Sequence, residues 1–133
     1  MVPTDADLRP TRAPAGRSET HDLHRSAARL AESAQEVRAA AGTPGCAAAI
    51  APSLGCVEAT LADLEQAVTG MEAVAAERLE HAALLLGGRW NDVTVARSVH
   101  EFQELARALA NARRACAVVR HGAGPSLAEL TAV

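Results

Sequence analysis

Two histidines and two glutamates stand at spacings that could bind a metal ion. Glu77 precedes His81 by four residues, and His100 precedes Glu104 by four. Residues four apart lie on one side of an α-helix, so each pair could offer an imidazole nitrogen and a carboxylate oxygen to zinc or iron. If the two stretches are antiparallel helices joined by a turn near Trp90, the two pairs lie at about the same level.

The phase of the surrounding apolar residues argues against this metal site. At about 100° per residue, both histidines fall on the side of their helices away from the apolar stripe. We therefore predict a solvated surface there, with no metal and no other cofactor. The four residues remain candidates for an alternative function, a helical-bundle protein that binds a metal or small ligand and could be an enzyme. They are Glu77, His81, His100 and Glu104.

The basic and sulfur-containing residues exclude several kinds of chemistry. All 13 basic residues are arginine, so the chain has neither a Schiff-base lysine nor the lysine of a phosphate-binding loop. Cys46, Cys56 and Cys116 are too few and too irregularly spaced for a disulfide framework. We therefore predict a non-catalytic protein, with the enzyme question left open.

The charge and the N-terminal composition predict the cellular location and the kinds of partner. A net charge of -3 and an aromatic content of 2% provide neither a basic surface nor a stacking platform for nucleic acid. Residues 1–16 contain prolines and arginines but no apolar run, so we expect no signal peptide and no membrane anchor. We predict a cytoplasmic protein that binds neither nucleic acid nor a membrane.

Heptad spacing predicts a first helix that starts at Ser18 or Thr20 and ends at Gly42. Residues 1–17, rich in proline, are predicted to form a flexible N-terminal arm. Thr43 and Pro44 are typical of a new helix start, and Pro52 should then break or bend the chain.

A long helical hairpin dominates the rest of the chain. Apolar periodicity predicts helices over residues 52–86 and 92–120, joined by a turn at residues 87–90. Gly122 and Gly124 should end the second helix, leaving residues 122–133 as a tail that could form a short helix. The fold prediction is therefore all-α, a three-helix bundle over residues 18–121 built on a long antiparallel helical hairpin with a shorter N-terminal helix.

The first helix is too short to cover both arms of the hairpin, so its tip should retain uncovered apolar side chains. Such a surface usually has a partner. We predict a homodimer that assembles through the tip, with another helical protein, the N-terminal arm or a small apolar ligand as alternative covers. The predicted apolar contacts are Leu79, Leu86, Trp90, Val95, Val99 and Phe102, and the predicted rim residues are Arg78 and Arg89.

Overall fold

The protein is helical throughout the part of the chain that the structure describes. This computed structural model describes the backbone of residues 3–86 and 92–132, and the side chains of residues 22–86, 92–127 and 129. Within these ranges it contains three α-helices, one short 3₁₀ helix and no β-strand, which confirms the all-α class. The chain divides into two compact units, Met1–Cys46 and Ala47–Val133. The packing of three helices into one bundle stays a prediction.

The first unit contains helix α1, Pro3–Ala41. The predicted start at Ser18 or Thr20 is wrong, because α1 already includes most of the segment that we predicted as an arm. A proline suits the first turn of a helix, where its missing amide hydrogen has no intrahelical acceptor. Pro10 and Pro14 lie further inside the helix, and each removes one backbone hydrogen bond.

The predicted end of α1 at Gly42 is confirmed. Immediately after it, Thr43 donates both its hydroxyl and its amide hydrogen to the carbonyl oxygen of Ala40, at 2.8 and 3.2 Å. The thiol of Cys46 donates to the carbonyl oxygen of Ala41 at 3.3 Å. These bonds satisfy two of the carbonyl groups that a helix leaves unpaired at its C-terminus.

A six-residue 3₁₀ helix, Pro44–Ala49, precedes helix α2, Ile50–Leu86. The predicted break at Pro52 is wrong, because α2 begins at Ile50 and continues through Pro52, and the change from 3₁₀ to α-helix comes before this proline. Pro52 consequently lies in the first turn of α2. Amide hydrogens in a first turn have no acceptor within the helix, so the missing donor of this proline breaks no helical bond.

The second unit pairs α2 with helix α3, Asp92–Ala132. Hydrogen bonds join early residues of α2 to late residues of α3, as between Glu58 and Arg120 and between Glu65 and Arg113. Contacts in this order are those expected of an antiparallel hairpin. Helix α2 is described as far as Leu86 and α3 from Asp92, and the predicted turn at residues 87–90 lies outside the described residues.

The core between α2 and α3 is thin. Val68, Val95, Ala110 and Gly124 are buried, but no described side chain is less than 2% exposed. Two helices contact each other along one stripe only, so each side chain of that stripe remains open at its flanks. The pair therefore has much more apolar surface than its own contact covers.

The predicted end of α3 is wrong, because the helix continues through both glycines and through Pro125. Gly124 is buried against α2, and a Cβ atom added to it would lie 3.3 Å from the Cβ of Ala51. Here the glycine allows a close approach of two helices and does not end one. Residues 122–132 accordingly belong to α3 and do not form a separate short helix.

Candidate interaction surfaces

The four candidate metal ligands are exposed and belong to two helices. Glu77 and His81 lie on α2, and His100 and Glu104 lie on α3. The Nε2 atom of His100 is 3.8 Å from Oε1 of Glu104, which also accepts a hydrogen bond from Arg107. The exposure of both histidines agrees with the outward phase that the sequence predicts. Among the described residues, no group of three or more His, Cys, Asp or Glu side chains is placed to hold a metal ion.

Two shallow depressions open on the surface, each lined by one helix. The first, on α2, is lined by Glu77, Arg78, Glu80, His81 and Leu84. The second, on α3, is lined by Ser98, Glu101, Phe102 and Leu105. A site that binds a small ligand tightly encloses most of its surface, and one helix cannot provide such walls. Neither depression is therefore a strong candidate for a small-molecule site.

Four large apolar side chains are exposed where α2 ends and α3 begins. Leu84, Leu85, Leu86 and Val93 expose 86%, 70%, 70% and 64% of their surface, and we call these four residues the tip surface. Three consecutive leucines point in three directions around a helix, so one partner helix cannot cover them all. Of the predicted contacts, Leu86 is part of this surface.

The other predicted contacts occupy different positions. Leu79, Val99 and Phe102 are half-buried, and Val95 is buried, with 8% of its surface exposed. These side chains lie in the apolar stripes through which α2 and α3 pack, so Val95 contributes to the core and not to an open surface. Arg78 is exposed beside them. The predicted contacts Arg89 and Trp90 lie outside the described residues.

A second apolar surface follows one side of the helix pair. It consists of residues spaced by seven on each helix, exposed or half-buried, and we call it the lateral face. Its members are Val57, Leu64 and Met71 on α2, and Leu105, Ala112 and Val119 on α3. Ala108 and Ala115, also exposed, extend it on α3 with small side chains.

The two halves of the lateral face point to the same side of the pair. Leu64 immediately precedes Glu65, and Ala112 immediately precedes Arg113. Glu65 and Arg113 are bonded to each other across the helix contact. A step of one residue back along either helix turns the side-chain direction by about 100° around that helix. Because the two helices run in opposite directions, both turns lead to the same side of the pair.

The opposite side of the pair is polar. A forward step of one residue from the same ion pair leads to Gln66 and Arg114, which are both exposed. Other exposed polar side chains at this phase are Thr69, Glu80, Gln103, Arg107 and His121. The pair of helices thus has one solvated side and one apolar side. Sequence analysis of single helices missed this asymmetry, because it appears only when two helices are combined.

Polar bonds at heptad-spaced glutamates connect α2 to α3. Arg120 Nε donates to Glu58 Oε2 at 2.7 Å, and Arg113 Nη2 donates to Glu65 Oε1 at 3.2 Å. One heptad further, Gln103 donates to Glu72 at 3.3 Å. The seven-residue repeat of the glutamates was the sequence signal for these bonds, which the sequence analysis overlooked. They fix the register of the two helices.

The bond between Arg120 and Glu58 lowers the pKa of that glutamate from its ordinary value, mainly because the guanidinium hydrogen-bonds the charged carboxylate. A lowered pKa in the folded state adds stability at neutral pH, and this contribution is lost as the pH falls through the lowered pKa. The pKa of Arg120 is raised by the same bond, and arginine stays charged in either state.

We expect the stability difference between the wild type and Glu58→Gln to shrink in acid. An unfolded glutamate takes up its proton near pH 4.3, before the folded Glu58 does, so acid removes the stability that this bond adds to the wild type. Glu58→Gln has no such contribution to lose. Urea unfolding at pH 6 and pH 3 measures the difference. The exposed Glu101→Gln serves as the control. An equal loss at both pH values in Glu58→Gln would contradict the assignment.

The three cysteines are free thiols. Cys116 is half-buried, and its thiol donates to the carbonyl oxygen of Leu54 on α2 at 3.3 Å. In this position it packs as a small apolar residue. Cys56 is exposed.

One stretch, Pro44–Leu86, is long and apolar enough to cross a membrane, with a mean hydropathy of 1.4 in its most apolar window. Length and composition are weak evidence, since core helices of soluble proteins pass the same test.

Comparison with known proteins adds no further evidence on function. No protein-family model, no curated protein and no solved structure matches the chain. The arguments for function therefore come from its exposed surfaces.

Proposed function

We propose that this protein is a non-catalytic helical interaction module of the cytoplasm that associates with itself through the tip surface. The observation that carries the proposal is the exposure of Leu84, Leu85, Leu86 and Val93 at one end of α2 and α3. Isolated exposed leucines are ordinary, but four large apolar side chains exposed together at one end of a helix pair favour a contact with another molecule.

A twofold dimer is the simplest arrangement for the tip. In a twofold contact the same patch serves both copies, so one exposed tip surface suffices. Two tips packed side by side in opposite directions would form a four-helix arrangement. In it, each copy covers leucines of α2 in the other copy that α3 of that other copy cannot reach. The antiparallel hairpin and the three-helix bundle, in which α1 joins α2 and α3, belong to the same proposal.

The alternative function, metal or ligand binding by Glu77, His81, His100 and Glu104, gains no support from the geometry. Their side chains are exposed, and the nearest pairing is between His100 and Glu104 of the same helix. The self-association proposal therefore takes precedence. Metal analysis of the purified protein tests the alternative, which would be favoured by a stoichiometric metal that is lost in His81→Ala.

We expect Leu85→Glu to reduce the solution mass of the wild type about twofold, because it places a charge in the proposed contact. Leu85 is 70% exposed, so the substitution leaves the packing of α2 on α3 intact. Light scattering over a range of concentrations measures the mass, and circular dichroism checks the helix content.

Val118→Glu provides a matched control, since Val118 is 71% exposed and lies on α3 far from the tip. This control should keep the mass of the wild type. A wild type that is monomeric at all concentrations, or an equal effect of both variants, would reject the proposal. Val99 is less suitable for this test, because it is half-buried and a charge there would disturb the hairpin itself.

A further inference from the structure

The last part of α3 is helical although its sequence does not favour a helix. Gly122 and Gly124 are poor helix formers, and Pro125 stands in the interior of the helix. Proline has no amide hydrogen, so the backbone bond to the carbonyl oxygen of His121 is missing, and the proline ring crowds that oxygen. We call residues 122–132 the C-terminal segment.

The contact between the C-terminal segment and the rest of the helix pair is narrow. Among the described residues of this segment, Gly124 is buried, Leu127 is half-buried, and the others are exposed. The ion pair nearest the C-terminus of α3, among the described side chains, joins Arg120 to Glu58. The segment thus begins two residues beyond this pair, where fewer residues of α3 are covered.

Gly124 makes the close contact of the segment with α2. A Cβ atom added to it would lie 3.3 Å from the Cβ of Ala51. Gly124 also precedes Pro125, and a Cβ atom at this position would crowd the proline ring. Ala51 lies in the first turn of α2, which begins at Ile50. The segment therefore packs against the end of a helix, and helix ends fray more readily than helix interiors.

Gly122 has no comparable contact. A Cβ atom added to it would meet no atom within 4 Å, so the packing around it does not require a glycine. Pro125 is exposed as well. Both residues weaken the helix without a gain in packing, and only the third weak helix former, Gly124, is offset by a close contact.

We propose that the C-terminal segment is a cover on the first turn of α2 that opens as one unit, while the rest of α3 stays packed. In the closed state it is helical and holds Gly124 against Ala51. In the open state residues 122–132 lose their helix and uncover the start of α2. The bond between Arg120 and Glu58 marks the boundary. Such local opening costs less free energy than global unfolding, because few buried contacts are broken.

The opening is separate from the tip contact. It takes place at the end of the helix pair where α2 begins, and the tip surface lies at the other end, where α2 ends and α3 begins. Leu85→Glu should therefore leave the opening unchanged. The proposed self-association and the proposed opening can each fail without the other.

Hydrogen exchange of the full chain, followed by NMR at single amides, tests the opening. We expect a step in protection: the amides of residues 123–132 should exchange at least about tenfold faster than those of residues 106–120, and at similar rates to one another. Ordinary fraying of a helix end gives a gradual decrease in protection along the chain. A gradual decrease, or equal protection on both sides of His121, would reject the proposal.

Two substitutions should close the segment. Gly122→Ala should slow its exchange by about fivefold, because alanine favours the helix and its Cβ atom has free space. Pro125→Ala should slow it by more than about tenfold, because it restores the amide donor and removes the crowded ring. Residues 106–120 should exchange as in the wild type. Unchanged exchange of the segment in both variants would contradict the proposal.

Ala51→Leu tests the contact without changing the sequence of the segment. The larger side chain occupies the space beside Gly124, so the segment should open and lose its protection, while residues 106–120 keep theirs. Ala59→Leu, at an exposed position of the same helix, is the matched control and should leave exchange of the segment unchanged. Equal exchange of the segment in these two variants would show that the contact with α2 does not close it, and would overturn the proposal.

Discussion

Val68→Asp is expected to unfold the pair of α2 and α3. Val68 is among the few buried side chains of the helix contact, and no polar or charged residue among those described is buried as a whole. The variant loses the buried valine and must place a carboxyl group in an apolar contact, so we expect a loss of about 3–5 kcal/mol. The remaining contact is thin, and few other residues can compensate.

Circular dichroism with increasing temperature measures this effect. A loss of this size lowers the unfolding midpoint by more than about 10 °C. Val74→Asp is the matched control, because Val74 lies on the same helix and is exposed. It should change stability by less than about 0.5 kcal/mol. A similar loss in both variants would show that the core does not lie where the structure places it.

Association complicates any stability measurement on this protein. A partner that binds only the folded chain raises the apparent stability, and the gain grows with the logarithm of its concentration. The comparison should therefore be made in the Leu85→Glu variant, where the proposed tip contact between copies is removed. The difference between the two valine positions then reports the packing of α2 on α3 alone.

The second large effect is expected from reversing one charge of the pair between Glu65 and Arg113. In the wild type, Nη2 of Arg113 lies 3.2 Å from Oε1 of Glu65. Glu65→Arg replaces this carboxylate with a second guanidinium group beside Arg113. The Nε atom of Arg113 is buried and has no hydrogen-bond partner of its own, so this arginine has little freedom to move away. We expect a loss of about 1–2 kcal/mol.

The exchanged double variant, Glu65→Arg with Arg113→Glu, should recover at least half of that loss. Urea unfolding of the four chains forms a double-mutant cycle, and its coupling energy isolates the pair from its surroundings. The loss in the single variant should also be smaller in 1 M salt, where charges are screened within about 3 Å. Additive effects of the two single variants would mean that the pair does not hold the register.

Helix positions were largely predictable because they depend on local spacing. The end of α1 at Gly42, the course of α2 as far as Leu86 and the course of α3 from Asp92 follow from glycines, caps and apolar period. The errors concern residues whose effect depends on context. Gly124 was expected to end a helix, yet it lies inside α3, where a neighbouring helix needs the space of a missing side chain.

The candidate surfaces were only partly predictable. An uncovered tip followed from helix lengths, and Leu86 was among the predicted contacts, but Val95 turned out to be buried. Periodicity assigns a residue to the apolar side of its own helix and does not say whether a neighbour covers it. The glutamate–arginine pairs were missed for a related reason, since each charge looks like an ordinary surface charge until the opposite helix is placed beside it.

The sequence by itself determined that this protein is helical and where most helices start or stop, because the backbone preferences and the apolar period of a helix are local properties. It also determined the absence of lysine chemistry, which is a matter of composition. Only the tertiary structure decided which apolar residues are covered, which charges meet and which side of the helix pair is apolar. Those properties depend on the angle and register at which two helices pack, and residues distant in sequence set them together.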